Sequence, residues 1–314
     1  MRRAHGAGTY TLPRLTTSLF FMRAERATSI LPSLTVQDWL AQASLRLRAI
    51  SQTPRLDAQV LLAHVLDTSR TWVLAHPEFA LGGEQQRQLE AALQRLEQGE
   101  PLPYLLGHWE FYGLDFLLTP ATLIPRPETE LLVEQALHWL EAHPEKRLAI
   151  DVGSGSGCIA VTLAVKVPTL QVIAGDLSFE ALQVTRRNAL RHGVAERVHC
   201  LQADLLSACG AAFDLICANP PYIPSETLRQ LPIYGREPTL ALDGGAEGLE
   251  HIRRLLQQAE HCLAEEGLLL LEIEATQGQA VRALAEQTFP RCQMSILPDL
   301  AGRDRLLYLQ RQGG

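Results

Sequence analysis

Residues 148–157 read LAIDVGSGSG. The first five are apolar apart from Asp151, and a run of this length and composition is typical of a buried β-strand. Glycines follow at alternate positions, and an apolar segment with the length of a helix extends from Gly157 to Val167. Glycine has no Cβ, so such a turn can bend tightly and let a ligand approach the backbone. A buried strand, a glycine turn and a helix together indicate the first unit of an α/β sheet.

Strands and helices continue to alternate up to the end of the chain. Six further runs have the length and apolar character of strands, at residues 171–175, 197–202, 213–218, 267–273, 293–297 and 304–309. Three helical segments lie between or beside them, at residues 178–192, 251–264 and 277–288. Alternating elements with short connections predict a mostly parallel sheet covered by helices on both faces. Counting the run at 148–152, we predict an α/β fold with seven strands.

The region before residue 148 has a different pattern. Residues 36–99 carry apolar residues near a 3.6-residue period, which predicts a small helical domain. The periodic runs are residues 38–47, 54–66 and 84–96. One face of the second run is expected to be buried, and its residues are Leu56, Val60, Leu61 and Val65.

Residues 101–125 are punctuated by proline and glycine. Two short runs, 108–111 and 115–118, flank Gly113 and predict a β-hairpin. Residues 125–130 read PRPETE, and proline followed by acids is typical of a helix start. These changes predict four parts of the chain. They are a disordered tail or over-extended start at 1–29, a helical substrate-contact domain at 30–100, a hairpin linker at 101–125 and an α/β domain at 126–314.

Bulk composition restricts the class of protein. The 314 residues carry a formal net charge of -7, whereas proteins that bind nucleic acids mainly through phosphate contacts are usually basic. We therefore expect no stable nucleic-acid binding. The six cysteines contain no Cys-x-x-Cys pair, so we interpret them as buried reduced thiols of a cytoplasmic protein and expect no metal site. No apolar run approaches the roughly 20 residues of a membrane span, and we expect no membrane partner.

The glycine turn is the first candidate binding site, because ligands of open α/β sheets bind at the carboxyl ends of the strands. Its G-x-G-x-G form is typical of class I methyltransferases, and Cys158 stands where the dinucleotide fingerprint has glycine or alanine. A purely structural glycine turn is the alternative interpretation. The candidate cofactor contacts are Gly153, Ser154, Gly155, Ser156 and Gly157.

Carboxylates follow the next two strands. Asp176 ends the second strand, where an acid can accept both hydroxyls of a ribose. Asp204 follows the third strand, where methyltransferases often have an acid for the adenine amino group, and Leu205 is then expected to pack on the ring. The alternatives are a helix N-terminal acid for Asp176 and a loop carboxylate for Asp204. Asp176 by itself does not distinguish S-adenosylmethionine from a nicotinamide cofactor.

The fourth strand ends at Asn219-Pro220-Pro221-Tyr222. Both prolines lack an N–H donor and fix φ, which leaves nearby carbonyls free to point into a cleft. The Asn219 side-chain oxygen and the Pro220 carbonyl can accept both N–H groups of an amide-type nitrogen and so orient its lone pair. Tyr222 can stack on a planar amide or base. We predict that these four residues bind the substrate, that Asn219, Pro220 and Tyr222 are catalytic, and that Asn219 also contacts the cofactor. A proline turn capped by asparagine is the alternative.

Several ordered motifs resemble the release-factor glutamine methyltransferases, the HemK/PrmC family. The tetrapeptide at 219–222 resembles the signature of amino-methyltransferases in general. The narrower resemblance rests on residues 104–107 (YLLG), 110–112 (EFY), 124–130 (IPRPETE), 237–238 (EP), 241–249 (ALDGGAEGL) and 55–58 (RLDA). It covers roughly residues 36–310.

This resemblance implies a class I, Rossmann-like methyltransferase fold and an S-adenosylmethionine-dependent enzyme. The implied reaction methylates the side-chain N5 of the glutamine in the Gly-Gly-Gln motif of class I peptide-chain release factors, which would be the protein partners. The family pattern often has an aromatic residue at the position of Leu205, where an aliphatic side chain can still cover the adenine. Arg126 and Glu128 are expected either to shape the entry for the glutamine loop or to stabilise a helix start. Glu272 and Glu274 receive no role.

Three other functions remain as alternatives. A DNA or RNA amino-methyltransferase shares the tetrapeptide, but it predicts basic patches that the composition does not show. A nicotinamide-dependent oxidoreductase explains the glycine turn and Asp176 but leaves residues 219–222 unexplained. A non-catalytic S-adenosylmethionine-binding regulator is disfavoured by the intact set of substrate-binding residues.

Overall fold

The computed structural model describes residues 34–210 and 212–313. The tail expected at 1–29 lies outside these described residues. Within the two ranges, no helix is both long and apolar enough to cross a membrane, and no three His, Cys, Asp or Glu side chains are grouped as a metal site. All six cysteines are unpaired. The expectation that they are buried holds only for Cys217 and Cys262.

Five helices form the N-terminal part. They are α1 (Val36–Leu47), α2 (Pro54–Val65), α3 (Arg70–Ala75), α4 (Gly83–Glu97) and α5 (Leu102–Leu106). Two of them, α3 and α5, were not predicted, because each is too short to show a period. Ser69 caps α3 by accepting a hydrogen bond from the backbone of Trp72, and α5 ends at Gly107, where φ is +77°.

The predicted face of α2 is wrong only at Leu56, since Leu61 is fully buried and Val60 and Val65 are partly buried against the same core. The buried apolar residues of this helix are Ala58, Leu61, Leu62 and Ala63, whereas Leu56 is 39% exposed. The buried stripe still has helical spacing, but it is rotated toward the alanines. Ala58, Leu61 and Leu62 belong to the core that α2 shares with α1 and α4.

A β-hairpin follows at the predicted place. Strands β1 (His108–Phe111) and β2 (Leu114–Leu117) pair antiparallel. Its two turn residues, Tyr112 and Gly113, both have positive φ, as a two-residue hairpin turn of type I′ requires.

Seven further strands form one sheet. They are β3 (Leu148–Val152), β4 (Gln171–Asp176), β5 (Val198–Gln202), β6 (Phe213–Ala218), β7 (Leu263–Glu272), β8 (Cys292–Pro298) and β9 (Asp304–Arg311). Their order is β5-β4-β3-β6-β7-β9-β8. The first five are parallel, while β9 is antiparallel to both of its neighbours because a short loop, without a crossover helix, joins it to β8. The predicted mostly parallel, seven-stranded α/β fold is confirmed.

Helices cover both faces of this sheet. They are α6 (Glu130–Ala142), α7 (Cys158–Lys166), α8 (Phe179–Arg191), α10 (Glu250–Cys262) and α11 (Gly278–Thr288), while the four-residue α9 (Ser225–Leu228) follows the tetrapeptide at 219–222. Ala149 of β3 belongs to a core shared with α6 and α7, and Ile150 belongs to a core shared with α10 and α11. Successive strand residues point to opposite faces, so a strand that is covered on both sides must be apolar throughout.

Candidate active site

A cavity of about 350 Å³ opens at the carboxyl ends of β3, β4, β5 and β6. Sites for small molecules typically measure about 300–1,000 Å³. The lining residues from the four strand ends are Gly153, Gly155, Asp176, Leu177, Ser178, Ala203, Asp204, Leu205, Asn219 and Pro221. The other lining residues include Ala121, Thr122, Leu123, Pro238, Leu240 and Ala241. The structure therefore brings together residues from all four predicted strand ends.

Only part of the glycine turn reaches this cavity. Gly153 and Gly155 line it, with φ of +75° and +58°. Ser154 and Ser156 are buried and point away from it. Gly157 has a packing role, because a Cβ there would lie 2.8 Å from Thr185 Cγ2 on α8. Gly153 and Gly155 thus form part of the cavity wall, whereas Gly157 packs against α8.

Asp151 holds the glycine turn from inside, a role that the sequence analysis missed. Its carboxylate Oδ2 accepts hydrogen bonds from Ser154 Oγ at 2.8 Å and from the Ala160 backbone N–H at 3.2 Å. Burial raises the pKa of Asp151 to about 7. An acid in an otherwise apolar strand was the available signal, since a buried carboxylate needs hydrogen-bond donors nearby.

Asp176 connects the ends of β3 and β4. Its Oδ2 accepts from the Gly155 backbone N–H and its Oδ1 accepts from the Ser178 backbone N–H, both at 2.8 Å. Burial raises the pKa of Asp176, and the backbone hydrogen bonds oppose that shift. Each carboxylate oxygen has a further lone pair, so both can still accept a hydroxyl of a bound ribose.

Asp204 and Leu205 lie side by side in the cavity wall. Asp204 Oδ2 pairs with Arg254 of α10 at 2.5 Å, and about half of its side chain is exposed. Leu205 has a φ of +55°, which is unusual for a residue with a Cβ. A strained backbone of this kind often occurs at a binding site, where it turns the side chain toward the ligand.

The tetrapeptide after β6 is divided between the cavity and the layer behind it. Asn219 and Pro221 line the cavity, whereas Pro220 and Tyr222 do not. Tyr222 is half-buried, and its hydroxyl donates to Glu272 Oε1 at 3.4 Å. Burial, together with the nearby Glu272 carboxylate, raises the pKa of Tyr222. Among the described residues, no hydrogen-bond donor reaches Asn219 Oδ1 or the Pro220 carbonyl oxygen.

Asn219 is anchored by two residues that the sequence analysis did not connect with it. Its Nδ2 donates to Thr129 Oγ1 at 3.0 Å, and the Thr129 hydroxyl donates to Glu272 Oε2 at 2.7 Å. Glu272 is the last residue of β7, and Thr129 directly precedes α6. We call this series of hydrogen-bonded side chains, which consists of Asn219, Thr129 and Glu272, the amide relay.

A glycine-rich loop supports the tetrapeptide from behind. A Cβ on Gly244 would lie 2.8 Å from the Tyr222 backbone, and one on Gly248 would lie 2.3 Å from the Tyr222 carbonyl oxygen. Gln277 Nε2 donates to the Tyr222 carbonyl at 3.0 Å and to the Gly248 carbonyl at 3.1 Å. Gly244 and Gly248 of the 241–249 motif are therefore needed for close backbone packing.

An ion pair that is buried at its Glu237 end joins the two loop segments, near residues 121–123 and 238–241, that complete the cavity lining. Glu237 is 7% exposed, and it accepts from the Ile124 backbone N–H at 3.0 Å and from Arg126 at 2.6 Å. These contacts hold residues 121–124 against the segment that starts at Pro238. Arg126 thus shapes the cavity through Glu237, while Glu128 is half-buried outside the cavity lining.

Two family descriptions match separate parts of the chain. Residues 38–107 match the PrmC N-terminal domain, and residues 128–230 match the methyltransferase small domain. The first match covers the N-terminal helices, and the second begins before α6 and ends after the tetrapeptide.

Curated relatives match most of the chain. The release factor glutamine methyltransferase of Moorella thermoacetica is 44% identical over 282 residues, which cover 89% of this chain and 99% of the relative. The protein of the same name from Escherichia coli strain K12 is 43% identical over 249 residues, covering 78% of this chain and 88% of the relative. Among solved structures, the catalytic domain of hMettl16 in complex with a 3'UTR hairpin has a TM-score of 0.50 at 16% identity, over 64% of this chain and 76% of that one. That likeness shows the fold alone.

Proposed function

The chain belongs to the release factor glutamine methyltransferase family, and we propose that it transfers a methyl group from S-adenosylmethionine to the side-chain N5 of a release-factor glutamine. The expected target is the glutamine of the Gly-Gly-Gln motif in class I peptide-chain release factors. The single observation that carries this proposal is the hydrogen bonding of the Asn219 side chain. Its amide nitrogen is hydrogen-bonded to Thr129, so its oxygen is the atom left for a substrate N–H.

The cavity suits S-adenosylmethionine by its chemistry. A carboxylate with free lone pairs, Asp176, lies where the ribose hydroxyls are expected, and Leu205 offers an apolar surface for the adenine. A Cβ on Gly153 would meet no atom within 4 Å, so the backbone there is open to a ligand. Bound there, S-adenosylmethionine supplies an electrophilic methyl group on a sulfonium. Ser154, Ser156 and Gly157 are proposed to shape the turn rather than to touch the cofactor.

Asn219 and Pro220 are proposed to orient the substrate amide. An amide nitrogen is a poor nucleophile because its lone pair is delocalised into the carbonyl. Two acceptors, Asn219 Oδ1 and the Pro220 carbonyl oxygen, can hold both of its N–H groups and direct the lone pair toward the methyl group. They also stabilise the positive charge that develops on the nitrogen. Fixed orientation of this kind lowers a barrier by up to several kcal/mol. Tyr222, anchored to Glu272, supports the same loop.

The test is mass spectrometry of a class I release factor incubated with the protein and S-adenosylmethionine. We expect one added methyl group on the Gly-Gly-Gln glutamine. Asn219→Ala is expected to lower kcat by about 10²- to 10³-fold, the usual loss when one fixed polar contact to a transition state is removed. Gln287→Ala is the matched control, because it removes an exposed amide on α11 outside the cavity lining.

The outcome separates the remaining alternatives. No methyl group on the release factor, with methylation of an added DNA or RNA, would replace this proposal by an amino-methyltransferase of nucleic acids. Binding of S-adenosylmethionine without any methylation would indicate a regulator. A cytoplasmic location stays a prediction and is supported by six unpaired cysteines.

A further inference from the structure

We propose that Thr129 and Glu272 are positioning residues that fix which way the Asn219 amide points, so that its oxygen always faces the substrate nitrogen. The identity of that substrate rests on the proposed function. The orientation of Asn219 does not, and it can be measured without any substrate.

The direction of the relay follows from its donors and acceptors. An ionised carboxylate can only accept hydrogen bonds, so Glu272 takes the Thr129 hydroxyl proton at 2.7 Å. The Thr129 oxygen then has only lone pairs to offer on its other side. Of the two ends of the Asn219 amide, only the NH₂ end can satisfy it, and Nδ2 lies 3.0 Å away. The Asn219 oxygen is thereby turned away from Thr129 and left for a substrate.

The sheet register explains why these residues meet. Ala218 of β6 is paired with Leu271 of β7 in a parallel ladder, so Asn219 and Glu272 are the next residues at two neighbouring strand ends. Thr129, just before α6, bridges them. The register is set by the apolar residues that pair between β6 and β7. The residues of the relay therefore belong to a rigid part of the fold.

Burial makes this orientation strong. Glu272 is 1% exposed and Thr129 is 2% exposed, so water does not compete for either side chain. Hydrogen bonds in such an environment are stronger than in water and polarise one another along a chain. Without the relay, the Asn219 amide can turn by 180° and present its NH₂ group to the NH₂ group of the substrate. Two donors then face each other, and the substrate amide loses one of its two acceptors.

The relay also depends on pH. Burial raises the pKa of Glu272 to about 7, and the hydrogen bond from Thr129 opposes that shift. The titratable or charged groups that face this carboxyl group are Arg305 on β9, Glu128 before α6, Tyr222 after β6 and Cys158 on α7. A protonated Glu272 can donate to Thr129, and the Thr129 hydroxyl is then free to donate to the oxygen of Asn219. The orientation of the Asn219 amide is fixed only while Glu272 is ionised. The rate of methyl transfer is therefore expected to fall as the pH drops through about 7.

The kinetic test compares three threonine variants. Thr129→Val removes the hydroxyl at nearly constant volume, and we expect kcat to fall by about 10- to 100-fold with KM for the release factor changed less than about threefold. Thr129→Ser restores the hydroxyl and is expected to recover the rate. Thr162→Val is the matched control, because Thr162 is fully buried on α7 and its hydroxyl has no hydrogen-bond partner among the described residues. Equal rates for Thr129→Val and Thr162→Val, in an active wild type, overturn the proposal.

A spectroscopic test does not need the methylation reaction. The chain contains only two asparagines, Asn188 and Asn219, so selective ¹⁵N-asparagine labelling yields two side-chain NH₂ pairs, and Asn219→Ala assigns them. We expect the Asn219 pair to shift with a midpoint near pH 7 in the wild type and not in Glu272→Gln. Asn188 is an internal reference, because its Nδ2 donates to the Leu117 and Ser156 carbonyls and not to a titrating group.

The two tests keep the two proposals distinct. A wild type that does not methylate the release factor refutes the proposed function. The NMR titration then still tests whether the amide relay exists. An Asn219 NH₂ pair whose chemical shifts are the same in the wild type and in Glu272→Gln at every pH refutes the relay even in an active enzyme. If Thr129→Val does not fold, the titration of the wild type and of Glu272→Gln gives the decision.

Discussion

Replacing Gly157 by alanine is expected to destabilise the fold through two effects that can be measured separately. The φ of Gly157 is +80°, and a Cβ at this position would lie 2.8 Å from Thr185 Cγ2 and 3.2 Å from Thr185 Cα and Cβ. Left-handed backbone costs an L-residue about 1–2 kcal/mol, and overpacking costs about 1–3 kcal/mol. Together they predict a loss of about 2–5 kcal/mol in the free energy of unfolding.

Gly193 is the matched control for the backbone effect. Its φ is +69°, and a Cβ there would meet no atom within 4 Å. Gly193→Ala is therefore expected to lose only the backbone part, about 1–2 kcal/mol. Urea unfolding of both variants, followed by circular dichroism, measures the difference. Equal losses for Gly157→Ala and Gly193→Ala would refute the view that Gly157 is required for close packing against α8.

A double-mutant cycle tests the partner of the clash. Thr185→Ser removes Cγ2 but keeps the hydroxyl that donates to the Gly155 carbonyl at 3.0 Å. In the background of Thr185→Ser, Gly157→Ala is expected to lose less stability than in the wild type, by about 0.5–3 kcal/mol. A coupling energy of zero would place the strain somewhere other than at Thr185.

Two further predictions concern the cofactor and the pH dependence of stability. Leu205→Ala is expected to weaken S-adenosylmethionine binding in calorimetry by about 5- to 30-fold, because part of the apolar contact with the adenine is lost; a change below twofold would show that Leu205 does not cover the ring. Asp151 has its pKa raised to about 7 by burial, so the stability it contributes is fully present below pH 4 and is lost as the pH rises through 7, by up to about 4 kcal/mol. The difference in unfolding free energy between the wild type and Asp151→Asn, measured from pH 4 to pH 8, should fall over that window, and a flat difference would contradict the assignment.

The strands were predictable because burial on both faces demands continuous apolar runs. Residues 148–152 and 213–218 became β3 and β6 with the predicted bounds. Short helices were not predictable in the same way. Six residues of α3 and five of α5 do not cover enough turns to show a period, and the prolines around α5 are equally typical of a loop.

The rotation of α2 depended on its neighbours. Leu56 and Leu61 have similar hydropathy, yet the first is exposed and the second is fully buried. A sequence pattern gives the spacing of a stripe, but the packing of a second helix decides which of two overlapping stripes is buried.

The composition of the cavity wall followed largely from local sequence. Parallel strands end at the same edge of a sheet, so residues that follow different strands must meet there. For this reason Gly155, Asp176, Leu205 and Asn219, which are distant along the chain, line one cavity. Their chemical roles remain predictions until the cofactor and the substrate are bound.

The support of that cavity was decided only by the tertiary structure. Thr129 lies 90 residues from Asn219 and 143 residues from Glu272 along the chain, and no local pattern indicates that their side chains form one relay. Which of Ser154 and Gly155 faces the cavity depended likewise on the buried carboxylate of Asp151. Apolar periodicity and strand-end residues are local properties and can be read from the chain, whereas hydrogen bonds between distant buried side chains exist only after the sheet register and the helix packing have brought them together.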